Sequence, residues 1–140
     1  MPEPRPSRGL LDTSVLIELE GLDPETLPVE SAISTLTLAE LAAGPHATED
    51  PAERARRQDR LQRAEAAFYP VSFDAAAARA YGRVYERTVS AARKARGPRA
   101  VDLLIAAVAL AHRLPLYTLN PDDLEHLEDL VHLLTPAKHP

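Results

Sequence analysis

Short apolar runs alternate along this chain with longer segments in which apolar residues recur every three or four positions. The runs predict buried strands and the longer segments predict amphipathic helices. The predicted strands cover residues 8–11, 32–36, 69–73, 116–119 and 131–134. The predicted helices cover residues 13–20, 37–43, 50–67, 74 to a break at Gly97-Pro98, 100–112 and 121–128. The order βαβααβααβαβ indicates an α/β fold with a central parallel β-sheet flanked by helices on both faces.

The length of 140 residues suits one domain with its own core, which we place at residues 8–135. The proline-rich start predicts a disordered N-terminal tail over 1–7, and 136–140 form a polar C-terminal tail. Cysteine is absent, which excludes disulfides and thiolate metal sites and suits the reducing cytoplasm. The longest apolar stretch, 103–111, is too short to span a bilayer. We therefore expect a cytoplasmic protein with no membrane partner.

Charge is unevenly distributed along the chain, although the net value is only −5. Residues 54–99 contain 12 of the 16 Lys and Arg residues but only 4 of the 21 Asp and Glu residues. A basic segment beside an acidic remainder is compatible with a polyanionic substrate that is held next to metal ions. The alternative is that these arginines only solvate helical surfaces.

Four acidic residues each follow a short apolar run at the start of a predicted helix: Asp12, Glu40, Asp102 and Asp123. In a parallel sheet such junctions meet at one edge, where these folds bind ligands. Four carboxylates gathered there repel one another unless they share a cation. Oxygen ligands without thiols favour Mg²⁺ or Mn²⁺ over Zn²⁺. The five histidines show no ligand spacing, and we expect all of them on the surface.

Helix capping is the competing explanation for each acid taken alone. Asp12 could cap the helix that follows it, and Thr37 to Glu40 match a capping box. Asp102 could stabilise a helix dipole, and Asn120 could act as an N-cap with acids in the next turn. The combination favours a metal site, because Glu40 and Asp102 lie in apolar segments where an unpaired charge is costly.

Together the motifs resemble those of PIN-domain nucleases. The resemblance rests on LLDTSVLI, TLAELAAG, DLLIAAVAL and the T-x-N-x-x-D motif from Thr118 to Asp123, and it covers residues 8–135. Within that superfamily the chain resembles the VapC toxins of bacterial toxin–antitoxin pairs. The resemblance implies a homodimeric PIN fold and an endoribonuclease that hydrolyses RNA phosphodiester bonds with Mg²⁺ or Mn²⁺. It also implies neutralisation by a cognate VapB-type antitoxin.

The resemblance assigns roles to individual residues of this sequence. It implies four catalytic, metal-holding acids, Asp12, Glu40, Asp102 and Asp123, with Ser14, Thr118 and Asn120 as supporting polar residues. Asp122 adjoins the fourth acid and is its alternative, although the motif spacing favours Asp123. The site could hold one metal ion or two. Just before Asp102 lies a basic cluster that we expect to bind the RNA backbone: Arg93, Lys94, Arg96 and Arg99.

Two other functions compete with the ribonuclease. The first is a catalytically silent PIN-like module that binds RNA or protein; four intact acids argue against it, because a degenerate site should have lost at least one. The second is an Asp-dependent phosphatase like the haloacid dehalogenases. That chemistry needs a second acid two residues after the first, where this chain has Ser14, and a downstream lysine, a residue nearly absent here.

Overall fold

The computed structural model describes residues 4–93, 95 and 97–140. A parallel five-stranded sheet organises this part of the chain, in the strand order β3-β2-β1-β4-β5. Its strands are β1 (Arg8–Leu11), β2 (Glu30–Ser34), β3 (Pro70–Val71), β4 (Leu116–Tyr117) and β5 (Leu133–Leu134). In the central strand β1, Leu10 lies opposite Ala32 on one side and Leu116 on the other. The carboxyl ends of all the strands therefore meet at one edge.

Helices connect the strands, as the sequence predicts. In the described residues they are α1 (Thr13–Ile17), α2 (Thr35–Ala43), α3 (Pro51–Ala67), α4 (Ala75–Ser90) and α5 (Ala100–His112). Several 3₁₀ turns link them: Leu19–Gly21, Pro24–Thr26, Gly44–Ala47, Gly97–Arg99, Pro121–Asp123 and Glu125–Leu127. Within the part of the chain that the structure describes, no helix combines the length and apolar character needed to cross a membrane.

Two hydrophobic clusters cover the two faces of the sheet, because successive strand residues point to opposite sides. Leu10 and Leu116 belong to the cluster that contains the buried residues of α4 and α5. Leu11 and Tyr117 belong to the cluster that includes residues of α1 and α3. Helix α5 has more buried residues than any other described helix: Leu103, Ile105, Ala106, Ala107, Val108 and Ala109. The sheet edge that carries the acids is thus held from both faces.

The element order agrees with the sequence-based prediction, but three helices differ from it. The helix predicted over 13–20 ends at Ile17 and is followed by a 3₁₀ turn at Leu19–Gly21. The helix predicted over 121–128 is wrong, because two 3₁₀ turns occupy this stretch and Leu124, between them, has a φ of −122°, outside the helical region. The long helix predicted from residue 74 ends at Ser90, because Ala92 adopts the left-handed conformation with a φ of 58°.

At the N-terminus, residues 5–7 are hydrogen-bonded although the sequence places them in a disordered tail. The Glu30 N–H donates to the Ser7 carbonyl at 2.9 Å. The Arg5 guanidinium donates to the Leu27 carbonyl at 2.7 Å. Residues 1–3 of that predicted tail lie outside the described residues.

The C-terminal segment pairs with the loop that follows α1. Leu22 and Lys138 form an antiparallel bridge, and the His139 N–H donates to the Gly21 carbonyl at 3.1 Å. The predicted tail over 136–140 is therefore attached to this loop along part of its length.

The close contact between Gly9 and Tyr117 yields a stability prediction. A Cβ at Gly9 would lie 2.4 Å from Tyr117 Cε1, and Tyr117 is only 2% exposed, so it cannot move aside without opening the core. We expect Gly9→Ala to lower the free energy of unfolding by about 1–3 kcal/mol in urea denaturation. Gly82→Ala is the matched control: nothing lies within 4 Å of its added Cβ, so the change should raise that free energy by up to about 1 kcal/mol. Unchanged stability of Gly9→Ala would contradict the packing argument.

Candidate metal centre at the carboxyl edge of the sheet

The first acid, Asp12, directly follows β1 and is 4% exposed. Its backbone N–H donates to the Tyr117 carbonyl at 3.0 Å, so the ends of β1 and β4 are joined at this point. Its Oδ1 accepts from the Val15 N–H at 3.0 Å and from Ser14 Oγ at 2.6 Å. Asp12 does cap α1, as the competing explanation requires. The same two bonds fix its carboxylate at the edge of the sheet.

Ser14 and Thr118 support the loops around Asp12. Besides donating to Asp12, Ser14 Oγ accepts from the Leu119 N–H at 3.1 Å. Thr118 is buried, and its Oγ1 accepts from the Asn120 N–H at 3.0 Å. Asn120 is exposed; it occupies the N-cap position of the turn Pro121–Asp123, as predicted, but its side chain forms no capping bond. The two hydroxyls thus connect α1 with the turn that leads to Asp123.

The second acid, Glu40, lies well inside α2, where its side chain is exposed. The N-cap of α2 is Ser34, whose Oγ accepts from the Thr37 N–H at 3.2 Å. The capping-box interpretation is therefore wrong, since Glu40 is too far along the helix to reach the cap. Instead, Glu40 Oε1 lies 2.5 Å from the hydroxyl of Thr13, a residue that sequence reasoning missed. The only signal for Thr13 was its position directly after Asp12.

The third acid, Asp102, lies in the first turn of α5 and is half-buried. The pKa of its carboxyl is raised from the ordinary 3.8 to about 6, first by burial and then by the charges of Asp12, Glu40 and Asp123, against the opposing charge of Arg99. The structure therefore gathers the four acids closely enough for the other three to act electrostatically on Asp102.

The fourth acid, Asp123, pairs with Arg99 at 3.1 Å. Asp123 contributes to the raised pKa of Asp102, and its neighbour Asp122 is not among the causes of that shift. Asp122 instead offers its backbone carbonyl to Arg93 at 3.2 Å. The electrostatics thus support Asp123 over Asp122 as the fourth member of the cluster.

The four carboxylates form a loose cluster rather than a closed metal cage. Within residues 4–93, 95 and 97–140, no three Asp, Glu or His side chains are placed so that they could hold an ion as they stand. One of the four, Asp123, is engaged by Arg99. The donor set of carboxylate oxygens nevertheless suits a hard divalent cation.

The predicted basic cluster is described only in part. Arg93 contacts Glu125 at 3.4 Å and Arg99 contacts Asp123, so both guanidinium groups lie beside the acidic edge. Lys94 and Arg96 lie outside the described residues.

His126 does not fit the expectation that all the histidines lie on the surface. Its Nε2 lies 3.0 Å from Thr88 Oγ1, and its Nδ1 is buried with no hydrogen-bond partner among the described residues. Burial lowers the pKa of His126, and the charges of Arg93 and Arg99 lower it further. The prediction is therefore wrong for His126, which no sequence motif distinguishes from the other histidines.

Comparisons with known proteins agree with this fold. A family model for the PIN domain matches residues 9–130. Ribonuclease VapC5 of Mycobacterium tuberculosis is 38% identical over 122 residues, which cover 84% of this chain and 86% of that protein. Among solved structures, the chain is similar to VapBC-5 from Mycobacterium tuberculosis, a member of the VapBC family of toxin–antitoxin systems. That match has a TM-score of 0.79 and 32% identity and covers 94% of this chain and 99% of the other.

A more distant similarity shows the fold alone. VapBC2 from Rickettsia felis, solved bound to a DNA fragment from its promoter, matches with a TM-score of 0.74 and 22% identity. The match covers 91% of this chain and 98% of that one.

The raised pKa of Asp102 predicts a pH dependence of stability without metal. A folded-state pKa above the unfolded one means that the folded protein binds the proton more tightly. The free energy of unfolding should therefore fall as pH rises from about 4 to about 6. Asp102→Asn should flatten this fall and raise stability near pH 7.5 by on the order of 1 kcal/mol, after allowance for solvent screening.

Urea denaturation in EDTA across this pH range measures both effects. Glu65→Gln, which removes a charge from an exposed position of α3, is the control. It should change neither the pH dependence of stability nor the stability near pH 7.5. If Asp102 only stabilised the helix dipole, Asp102→Asn would be neutral or would lower stability by up to about 1 kcal/mol. That result would remove the electrostatic argument for the cluster.

Proposed function

Because this chain belongs to the PIN-domain family and is 38% identical to Ribonuclease VapC5, we propose that it is the ribonuclease toxin of a VapBC-type toxin–antitoxin pair. In this proposal it hydrolyses RNA phosphodiester bonds in the cytoplasm with the help of Mg²⁺ or Mn²⁺. The observation that carries the proposal is the grouping of three acids around Asp102 at the carboxyl edge of the sheet.

The four acids would hold the metal ion or ions. Asp12 would be the most rigid ligand, because two hydrogen bonds already fix its Oδ1. Because the pKa of Asp102 is raised in the metal-free protein, protons would compete with the cation for this carboxylate as the pH falls. A bound Mg²⁺ or Mn²⁺ supplies an activated water and neutralises charge on the phosphate. Ser14, Thr118 and Asn120 would hold the surrounding backbone in place, as the bonds of their hydroxyl and amide groups suggest.

Basic side chains beside the acids would bind the RNA backbone. Arg99 is part-exposed and adjoins Asp123, so a phosphate that reached the cluster would meet its guanidinium. Arg93, whose guanidinium donates to the Asp122 carbonyl, would provide a second positive charge for the RNA backbone. Lys94 and Arg96 belong to the same segment and are included in the proposal on sequence grounds. Such contacts to phosphate are independent of base sequence.

A silent binding module is the second candidate, but no observation on this chain favours it. A protein that only bound RNA would have no use for like charges that raise the pKa of a half-buried carboxyl. Retaining all four acids imposes a cost on the folded state, and a shared cation is the simplest compensation.

A groove beside α1 is the proposed docking site of the antitoxin. It has a volume of about 500 Å³ and runs between the end of α1 and α3, and none of the four acids lines it. Its wall includes Ile17, which is 43% exposed, together with Leu19 and Phe68. Charged residues of both signs line it as well: Arg56, Arg60, Arg63, Glu18, Glu20 and Asp59. An amphipathic helix with an apolar face and flanks of mixed charge would fit this surface.

The family resemblance also supports a homodimer as part of the proposal. Helix α4 leaves two large apolar side chains exposed, Tyr85 at 46% and Val89 at 53%, which a second copy could cover. Light scattering on the purified chain would determine its oligomeric state.

We expect the purified chain to cleave RNA, to lose this activity in EDTA and to regain it with Mg²⁺ or Mn²⁺. Asp12→Asn, Glu40→Gln and Asp102→Asn should each lower the cleavage rate by about two orders of magnitude or more, because each removes a proposed metal ligand. Mg²⁺ should also raise the melting temperature of the wild type more than that of Asp102→Asn.

Glu65→Gln is again the control and should cleave at the wild-type rate. Circular dichroism checks that each variant is folded. Full activity in folded Asp102→Asn would overturn the site. RNA binding without cleavage, in the wild type and with either metal, would instead favour the silent module.

The groove predicts a surface variant that separates inhibition from catalysis. Ile17→Glu should weaken inhibition by the co-expressed VapB-type partner by about 10- to 100-fold, because it places a charge where an apolar side chain should pack. RNase activity without the partner should stay at the wild-type level. Val29→Glu is the control: Val29 is a 66% exposed apolar residue outside the groove, and its replacement should leave inhibition unchanged. Equal inhibition of wild type and Ile17→Glu would exclude this groove.

A further inference from the structure

A row of hydroxyl groups leads from the end of β2 to the carboxylate of Glu40. Ser34 Oγ lies 3.5 Å from Thr37 Oγ1, which lies 3.0 Å from Thr13 Oγ1. Thr13 Oγ1 in turn lies 2.5 Å from Glu40 Oε1, the shortest contact in the row. These four residues come from β2, α2 and α1, so the row crosses three elements of the fold.

The chemistry of the groups fixes the direction of these bonds. An ionised carboxylate only accepts hydrogen bonds, so Thr13 must donate its single hydroxyl proton to Glu40. Thr13 then has only acceptor capacity left for Thr37, which must donate to it. Hydroxyls that all donate in one direction polarise one another, and a charged acceptor strengthens the last bond.

Burial differs sharply between the two ends of the row. Ser34 and Thr37 are both fully buried, and Ser34 Oγ is also fixed by the Thr37 N–H. Glu40 is exposed, and a free glutamate side chain samples many rotamers, which costs entropy when a ligand site must fix it. The row therefore connects the exposed side chain of Glu40 to the buried hydroxyls of Ser34 and Thr37.

We propose that Thr13 is a positioning residue that orients the Glu40 carboxylate for the divalent cation. Thr13 follows Asp12 directly in the chain, so one residue ties the acid of α2 to the acid at the end of β1. Ser14 binds Asp12 and Thr13 binds Glu40, so two consecutive hydroxyls each hold a different carboxylate. This inference rests on the proposed function, since it concerns a ligand of the proposed metal site.

Titration calorimetry with Mn²⁺ alone, on the full chain, tests this role. Thr13→Val keeps the shape of the side chain but removes the hydroxyl, and it should weaken Mn²⁺ binding by about 10- to 100-fold, as loss of an orienting partner does. Thr13→Ser keeps the hydroxyl and should restore binding to near the wild-type affinity. Thr35→Val is the matched control, because the Thr35 hydroxyl accepts from the Phe73 N–H and touches no acid. It should bind Mn²⁺ like the wild type.

A double-mutant cycle separates positioning from a general structural effect. If Thr13 acts through Glu40, Thr13→Val should cause no further loss of affinity when Glu40 is already replaced in Glu40→Gln. An equal loss in both backgrounds would overturn the inference, and so would wild-type affinity in Thr13→Val or failure of Thr13→Ser to restore binding. Absence of Mn²⁺ binding in the wild type would instead refute the proposed metal site itself. Thermal melts in EDTA verify that all the variants are folded.

Discussion

Repulsion among carboxylates at one edge of the sheet is the constraint on which the rest of this structure depends. Parallel strands bring every strand-to-helix junction to the same edge, so acids at those junctions cannot avoid one another. Asp102 shows part of the result, because burial and then the charges of the other three acids raise its pKa to about 6. Packing in the two hydrophobic clusters offsets the free-energy cost of this repulsion. Helix α5 contributes most, because its buried residues hold Asp102 beside the other acids. A site of this kind requires a well-packed scaffold, because the hydroxyls of Ser14 and Thr13 and the guanidinium of Arg99 offset the repulsion among the acids only in part.

Much of the fold was predictable because it follows from local patterns. Apolar periodicity identified the order of strands and helices, and β/α alternation then implied which residues share an edge. The final helix was not predictable, because Asn120, Pro121 and the following acids form a good helix start, whereas the observed 3₁₀ turns break at Leu124. The attachment of the C-terminal segment to Leu22 depends on a contact between distant parts of the chain, which periodicity does not encode.

The candidate site was likewise predictable from the sequence only in part. Acids near strand ends are visible in the sequence, whereas the roles of the Thr13 hydroxyl and of the buried Nδ1 of His126 depend on tertiary contacts. The capping alternatives show the limit of local motifs. Asp12 caps a helix and also belongs to the acidic cluster, whereas the match from Thr37 to Glu40 failed because β2 ends at Ser34 and α2 begins there. Where a strand stops decides which residue can act as a cap, and sequence locates strand ends poorly.

The pairing of the C-terminal segment has a consequence for the groove beside α1. Gly21 lines that groove, and its carbonyl accepts a hydrogen bond from the His139 N–H. The last residues of the chain therefore help to hold one wall of the groove in place. Ending the chain before Lys138, or fusing a bulky tag directly after Lys138, would disturb this wall of the groove. Neither change would alter the four acids of the cluster. A change at the C-terminus could therefore affect the groove without affecting the acidic edge. The acidic edge depends on the sheet, whereas the groove depends in part on the C-terminal segment.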